Sequence, residues 1–246
     1  MAQHTALIIG ASGGIGHAIV MRLLHDGFFV CATYAHESER AAVLRQGLRG
    51  GRGVAYHMDL LDRDGTERVM AQIVQEHPTI GAVVFAPSTT LPSTQLLETA
   101  WQTFQEHLDV QLRGMWQVVS GLQVRIKAKH PIAFTVVLST VCMGEPVPRF
   151  TPYVAAKYAL MGFAKCMAIE LARFGCRTNM VLPGLTATPL TASVPSKLFE
   201  LEAAQNPLGR ITTSKDVAAA VAFLVSEDAA YLNGVQLTVN GGARIG

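Results

Sequence analysis

The sequence predicts an α/β fold: a doubly wound, parallel, seven-stranded sheet with helices on both faces. Three observations carry this. Short apolar runs alternate with longer helix-periodic segments along the chain, the pattern of repeated strand–helix–strand crossovers. Most of the runs are apolar throughout rather than at every second residue, as strands covered on both faces are. The first run passes through a glycine-rich turn straight into a helix, the context in which such a turn binds phosphate.

Taken in order, residues 5–9 form a buried strand. Gly10-Ala11-Ser12-Gly13-Gly14-Ile15-Gly16 then turns the chain into a helix over 14–25, with Ala18, Ile19, Met21, Leu23 and Leu24 in helical periodicity. Gly10 permits the tight turn; Gly14 and Gly16 let backbone approach a pyrophosphate and let the helix pack on the strand. The helix N-terminus faces the phosphates. Gly10, Ser12, Gly14, Ile15 and Gly16 are therefore candidate dinucleotide ligands, and the fold is Rossmann-like. Strands follow at 28–33, 53–57, 81–86, 132–139, 177–182 and 236–239, and helices at 38–46, 62–76, 103–127, 152–174 and 214–226. Two loops stand out: 141–151, with Gly144, Pro146 and Pro148, and 185–210, with Pro189, Pro195, Pro207 and a short helix at 197–204. Both follow strand ends, where ligands sit in open α/β sheets, and the length of the second marks it as a substrate lid. No linker or repeat interrupts the pattern, so residues 1–246 read as one dinucleotide-binding domain.

Half of the residues are apolar and 15% are charged, ample for a large core and for further surface buried between subunits. A net charge of +2 argues against a nucleic-acid partner. No apolar run reaches the roughly 18 residues of a membrane span. The apolar 5–9 stretch is too short for a leader. Cys31, Cys142, Cys166 and Cys176 show no CxxC spacing and read as reduced core residues of a cytoplasmic protein.

Tyr153 and Lys157, four residues apart, share a helical face, with Thr151 as N-cap and Pro152 as first helical residue. A lysine beside a phenol lowers the phenol pKa and makes it a usable proton donor. The pair, the Gly-x-x-x-Gly-x-Gly spacing of 10–16, Asp59-Leu60, the stretch 179–184 with Thr188, and Asn240-Gly241-Gly242 together resemble the short-chain dehydrogenase/reductase family over nearly the whole chain. Within it the sequence is most similar to 3-oxoacyl-thioester (acyl-carrier-protein) reductases and related sugar-alcohol and ketone reductases, enzymes of fatty acid or polyketide biosynthesis among them.

The resemblance implies that Tyr153 donates the proton to a substrate carbonyl, hydride comes from the nicotinamide, and Lys157 bonds the ribose and lowers the tyrosine pKa. It places Thr140, thirteen residues before Tyr153, at the position of the family serine that polarises the carbonyl; Ser139 is the fallback, expected on the opposite face of the strand. Gln111 stands where the family has a proton-relaying Asn. Phe85-Ala86-Pro87-Ser88 replaces the family's Asn-Asn-Ala-Gly on the nicotinamide side. Phe-Ala-Pro is similar to a segment of enoyl-thioester reductases, but those separate Tyr and Lys more widely. Asp59 matches the aspartate that bonds the adenine amino group, or caps the next helix, with Leu60 beside it. Pro183, Gly184 and Thr188 match the segment at the carboxamide.

Tyr34 occupies the place of the NAD-selecting Asp, so no carboxylate there repels a 2′-phosphate. Thr33 and His36 can bond one and Arg40 adds charge. The preferred cofactor is accordingly NADP (NADPH); Glu37, within reach of a ribose, leaves NAD possible. The expected substrate is a small-molecule ketone or acyl thioester, free or on an acyl carrier protein, met by apolar Met143, Val147, Phe150, Leu185 and Leu190. Lys127, Lys129, Arg173 and Arg177 are candidates for a carrier dock, and Arg149 for an acidic group. By resemblance the long helices pair between subunits into a homo-oligomer, a dimer or a homotetramer. The alternative to an NADPH-dependent carbonyl reductase is a weak or inactive cofactor-binding scaffold that partners an active paralogue, motivated by the altered positions around one site.

Overall fold

In the computed structural model, residues 5–144 and 146–245 are described. Residues 1–4, where a leader would begin, Glu145 of the 141–151 loop and Gly246 lie outside them. The strands are β1 (Thr5–Ile9), β2 (Phe29–Tyr34), β3 (Gly53–His57), β4 (Ile80–Phe85), β5 (Ala133–Val137), β6 (Arg177–Pro183) and β7 (Gln236–Val239). They pair in the order β3-β2-β1-β4-β5-β6-β7, every neighbour parallel. Every residue of β1 and β5 is buried, because helices cover both faces and alternate side chains enter different cores. Leu7 and Ile9 join Val83, Phe85 and Phe134 on one side. Ala6 and Ile8 join Ile19, Leu23 and Val221 on the other.

The helices are α1 (Gly14–His25), α2 (Glu39–Leu48), α3 (Arg63–Glu76), α4 (Trp101–Leu108), α5 (Gly114–Gly121), α6 (Gln123–Lys127), α7 (Thr151–Glu170), α8 (Ser196–Gln205) and α9 (Ser214–Val225). On one face α1 packs against α9; on the other α3 packs against α5 and α4 against α7. Side chains close the N-termini of α2, α3 and α9: Ser38 Oγ accepts from Ala41 N, Asp62 from Gly65 N, and Thr213 with Asp216 forms a reciprocal box. Asp59 is thus not the cap of α3; its Oδ1 accepts from Leu61 N.

The expected single helix over 103–127 is three. A π-helical turn, Asp109–Arg113, separates α4 from α5, and Leu122 breaks α5 from α6. One residue extra per turn leaves the apolar pattern intact while rotating the side chains beyond it. The helix expected over 152–174 begins one residue earlier. Phe150 occupies its cap position, so Thr151 lies inside the first turn and is not the cap. It ends at Glu170, followed by a 3₁₀ turn that Gly175 closes at φ +82. The 28–33, 81–86 and 132–139 strands are shifted or shortened at their ends. Connections on either side of β1 run in opposite directions, so a switch point lies between β1 and β4, where open α/β sheets hold ligands.

Candidate active site

The switch point begins at the glycine turn. Gly10 takes φ +79, and a Cβ there would lie 2.7 Å from Pro87 Cα, so only glycine lets the loops after β1 and β4 meet. A Cβ on Gly16 would strike the Gly10 carbonyl oxygen; the first helical turn folds back on the loop that starts it. Gly14 faces Thr188, whose Cβ would lie 2.9 Å from an added methyl. At the N-terminus of α1 there is no side-chain cap and no acid in the first turn. Unlike α2, α3 and α9, this helix leaves its positive end open, which fits a pyrophosphate beside Ser12, Gly14, Ile15 and Gly16.

At the end of β2 the geometry departs from expectation. Thr33 is 1% exposed and its Oγ1 accepts from Gly10 N at 3.3 Å, so it braces the glycine turn. Tyr34 donates to Glu37 Oε1 at 2.8 Å, and Arg45 Nη1 donates to Tyr34 Oη at 2.8 Å and to Glu37 Oε2 at 2.8 Å. Arg45 also lies 5.2 Å from the centre of the Tyr34 ring, and the His57 ring lies 5.5 Å from that ring. The guanidinium of Arg45 holds the Glu37 carboxyl below its usual range. Motif spacing does not reveal Arg45, which sits eleven residues beyond Tyr34 on the far turns of α2; the opposite charges at 37 and 45 are its only signal in the sequence. His36 and Arg40 are exposed beside this cluster. Asp59 is partly buried at the neighbouring strand end, and Leu60 lies beneath Gly114. Arg113 pins that corner by donating to Leu60 O at 3.1 Å.

Tyr153 and Lys157 lie on the buried face of α7, 7% and 3% exposed. Lys157 Nζ is 5.8 Å from the centre of the Tyr153 ring and donates to Val137 O at 2.9 Å. Burial pulls the lysine pKa down to about 8 and pushes the phenol up to about 12, against a hydrogen bond from Ser139. The expected lowering of the tyrosine pKa by the lysine is therefore absent: the ammonium is turned to the Val137 carbonyl, and desolvation dominates.

The hydroxyl that acts to lower the Tyr153 pKa is that of Ser139. The expectation that Ser139 points away rests on strand alternation through 139, but β5 stops at Val137. Ser139, at φ −169, caps a 3₁₀ turn over Thr140–Cys142, its Oγ accepting from Val141 N. Thr140 is buried, and its carbonyl accepts from Arg244 Nη1 at 3.3 Å.

Gln111 sits in the π-turn, fully buried. Its Nε2 donates to Pro87 O at 3.1 Å, while its Oε1 has no hydrogen-bond partner, a buried polar atom that normally requires one. Ala86 N donates to Ile9 O at 3.0 Å and Ser88 is exposed, so the 85–88 loop is tied to β1 at one end and to Gln111 at the other. Pro183 pairs with Val239, and Gly184 N donates to Val239 O at 2.9 Å. Thr191 closes a turn beneath Thr188. Met143, Val147 and Phe150 pack half-buried against the core next to Tyr153. Arg149 is exposed at φ +67.

Of the expected dock, Arg177 is committed inward, donating to Leu224 O and Ser226 O, and Arg173 lies 4.8 Å from the centre of the Phe174 ring. Three cysteines are free and buried, but Cys166 is exposed, which corrects its reading as a core residue. Among the described residues no cluster of metal-ligating side chains occurs and no helix is long and apolar enough to cross a membrane.

A family model described as enoyl-(acyl carrier protein) reductase matches residues 10–244. The chain is 30% identical over 237 residues to the 3-oxoacyl-[acyl-carrier-protein] reductase of Haemophilus influenzae, covering 96% of each. It is 29% identical over 240 residues to that of Staphylococcus aureus, covering 97% of each. Its structure superposes on a single-residue variant of the actinorhodin polyketide ketoreductase, solved with NADPH, at a TM-score of 0.90 and 26% identity, over 98% of this chain and 97% of that one. With a family model matching nearly the whole chain and relatives of this similarity covered almost end to end, the chain belongs to the short-chain dehydrogenase/reductase family of oxidoreductases.

Proposed function

We propose that this protein reduces a ketone, of the 3-oxoacyl-thioester kind, with NADPH as hydride donor and Tyr153 as proton donor. The carrying observation is the buried Tyr153 phenol with buried Lys157 one helical turn away, its Nζ 5.8 Å from the centre of the ring. A nicotinamide bound at the switch point supplies hydride. The open N-terminus of α1 would hold its pyrophosphate, and Asp59 and Leu60 would border its adenine. Arg45 turns from Glu37 towards a 2′-phosphate, the charge-assisted contact that favours NADPH; the ketoreductase likeness with NADPH supports the same choice. Pro183, Gly184 and Thr188, with Ala86, Pro87 and Ser88 opposite, flank the nicotinamide.

Tyr153 then gives its proton to the developing alkoxide, and Ser139 stabilises the charge on that oxygen and on the departing phenolate. Lys157 is the cation that favours this transfer. Swung from Val137 O towards a ribose hydroxyl, it lowers the phenol pKa from the high value that burial imposes. Gln111, with its unpartnered Oε1, accepts from the water that returns a proton to Lys157. The half-buried apolar side chains Met143, Val147 and Phe150 receive an acyl chain or ring, and the 185–210 segment closes over it.

The test is deuterium transfer. NADPH deuterated at the reactive nicotinamide carbon, incubated with a panel of 3-oxoacyl thioesters and diketones, should label the carbinol carbon of a product. Cofactor binding without label in any product would favour the scaffold reading, which the Gln111 and Pro87 departures motivate.

A further inference from the structure

His107 is a buried titratable side chain beside Tyr153 that the proposed chemistry does not use. It is 2% exposed and projects from the last turn of α4. Its Nδ1 lies 2.8 Å from Thr89 Oγ1. Its ring meets the Tyr153 ring edge to face, with centres 6.2 Å apart and planes at 79°, inside the favoured range for an aromatic pair. Four residues on, Gln111 donates to Pro87 O. The α4 segment and its π-turn therefore grip the 87–89 loop at two points, and one of the two also presses on the proton donor. Burial lowers the histidine pKa; Glu106 opposes this and Lys157 adds to it. The ring is thus neutral near pH 7, and its bond to Thr89 is one between uncharged partners. The influence of Ser139 reaches only the hydroxyl end of Tyr153; the tilt of the ring is left to its packing.

We propose that His107 is a positioning residue: it sets the Tyr153 ring against the 87–89 loop, and so against a carbonyl held between them. This rests on the reading of Tyr153 as proton donor. A proton donor misplaced by about 1 Å can lose roughly a hundredfold in rate, so the tilt matters even though His107 touches no reacting atom.

Three variants separate the two contacts. His107→Leu removes both, His107→Phe keeps the ring and loses the Thr89 bond, and Thr89→Val, at a half-buried position, loses the bond alone. His107→Leu should lower kcat by about 10–100-fold with NADPH affinity within about twofold. His107→Phe should recover most of that kcat. Thr89→Val should raise KM for the ketone and spare kcat. A second readout needs no turnover: the ultraviolet phenolate titration of Tyr153, taken as the difference from Tyr153→Phe in each background. It should shift in His107→Leu, where the Tyr153 ring loses its edge-to-face neighbour, and stay in place in His107→Phe. If kcat and titration are both unchanged in His107→Leu, or if Phe is as damaging as Leu in both, the proposal is wrong. If the native protein reduces no ketone, the reductase reading fails by itself, and the titration still decides whether His107 positions the ring.

Discussion

Replacing Thr33 by valine separates two jobs that the end of β2 can do. The side chain is nearly isosteric, so the perturbation is the loss of one hydroxyl. That hydroxyl accepts from Gly10 N at 3.3 Å, on a residue that is 1% exposed. Leaving a buried N–H unpaired costs about 1–3 kcal/mol, and the long bond argues for the lower part of that range. The new buried methyl returns about 0.8 kcal/mol. The net loss is on the order of 1 kcal/mol, or about 2–4 °C in melting temperature for a chain of this size. Because the proposed pyrophosphate site at the Gly10 turn is common to both dinucleotides, NADPH and NADH should weaken together, by about fivefold for each 1 kcal/mol carried into the loop. Thermal unfolding and fluorescence titration with each cofactor read the two effects. A selective loss of NADPH binding, with NADH binding and melting temperature unchanged, would mean that Thr33 is a phosphate ligand and not a brace.

The same geometry sets three other outcomes. Arg45→Met should weaken NADPH binding about tenfold or more and leave NADH within about threefold, since only the former carries a 2′-phosphate for the guanidinium; Glu37→Gln, which frees Arg45, should shift the preference the other way, both read by competitive cofactor titration. Ser139→Ala should lower kcat by about 10²–10³, the usual cost of one oxyanion donor, and Thr140→Val by less than about tenfold, in steady-state assays at saturating cofactor. For ketone reduction the active form has a protonated Tyr153 and a cationic Lys157, and burial holds the lysine at about 8 in the free protein; kcat/KM, which reports the free enzyme, should therefore be level below that pH and fall as pH rises through it.

The architecture is legible in the sequence because its signals are local and redundant. The bounds of β1, β3, β7 and α1 match the reading residue for residue: each is an apolar run or stripe bounded by glycine, histidine or a turn. What the sequence does not carry is where side chains point once a regular element stops. Strand alternation turns Ser139 away from the site, but the strand ends two residues before it. The 103–127 stretch reads as one helix because an inserted residue barely disturbs a 3.6-residue period, yet that insertion presents Gln111 to Pro87. Arg45 and His107 show the other limit. Each is near its partner in space but distant in sequence, Arg45 by eleven residues from Tyr34 and His107 by eighteen from Thr89, so no motif spacing exposes them. The tyrosine pKa escapes the sequence for a related reason: four-residue spacing gives proximity, but not that the ammonium is bonded to Val137 O and that burial outweighs it.

The most direct test of the whole account is the rate of NADPH oxidation by native protein and by Tyr153→Phe, with a 3-oxoacyl thioester, at equal measured cofactor occupancy. The native protein should turn over, and the variant should lose about 10²–10⁴-fold, the range for removing a general acid, with NADPH binding unchanged. Equal rates in the two proteins would contradict it, because the proton would then come from elsewhere.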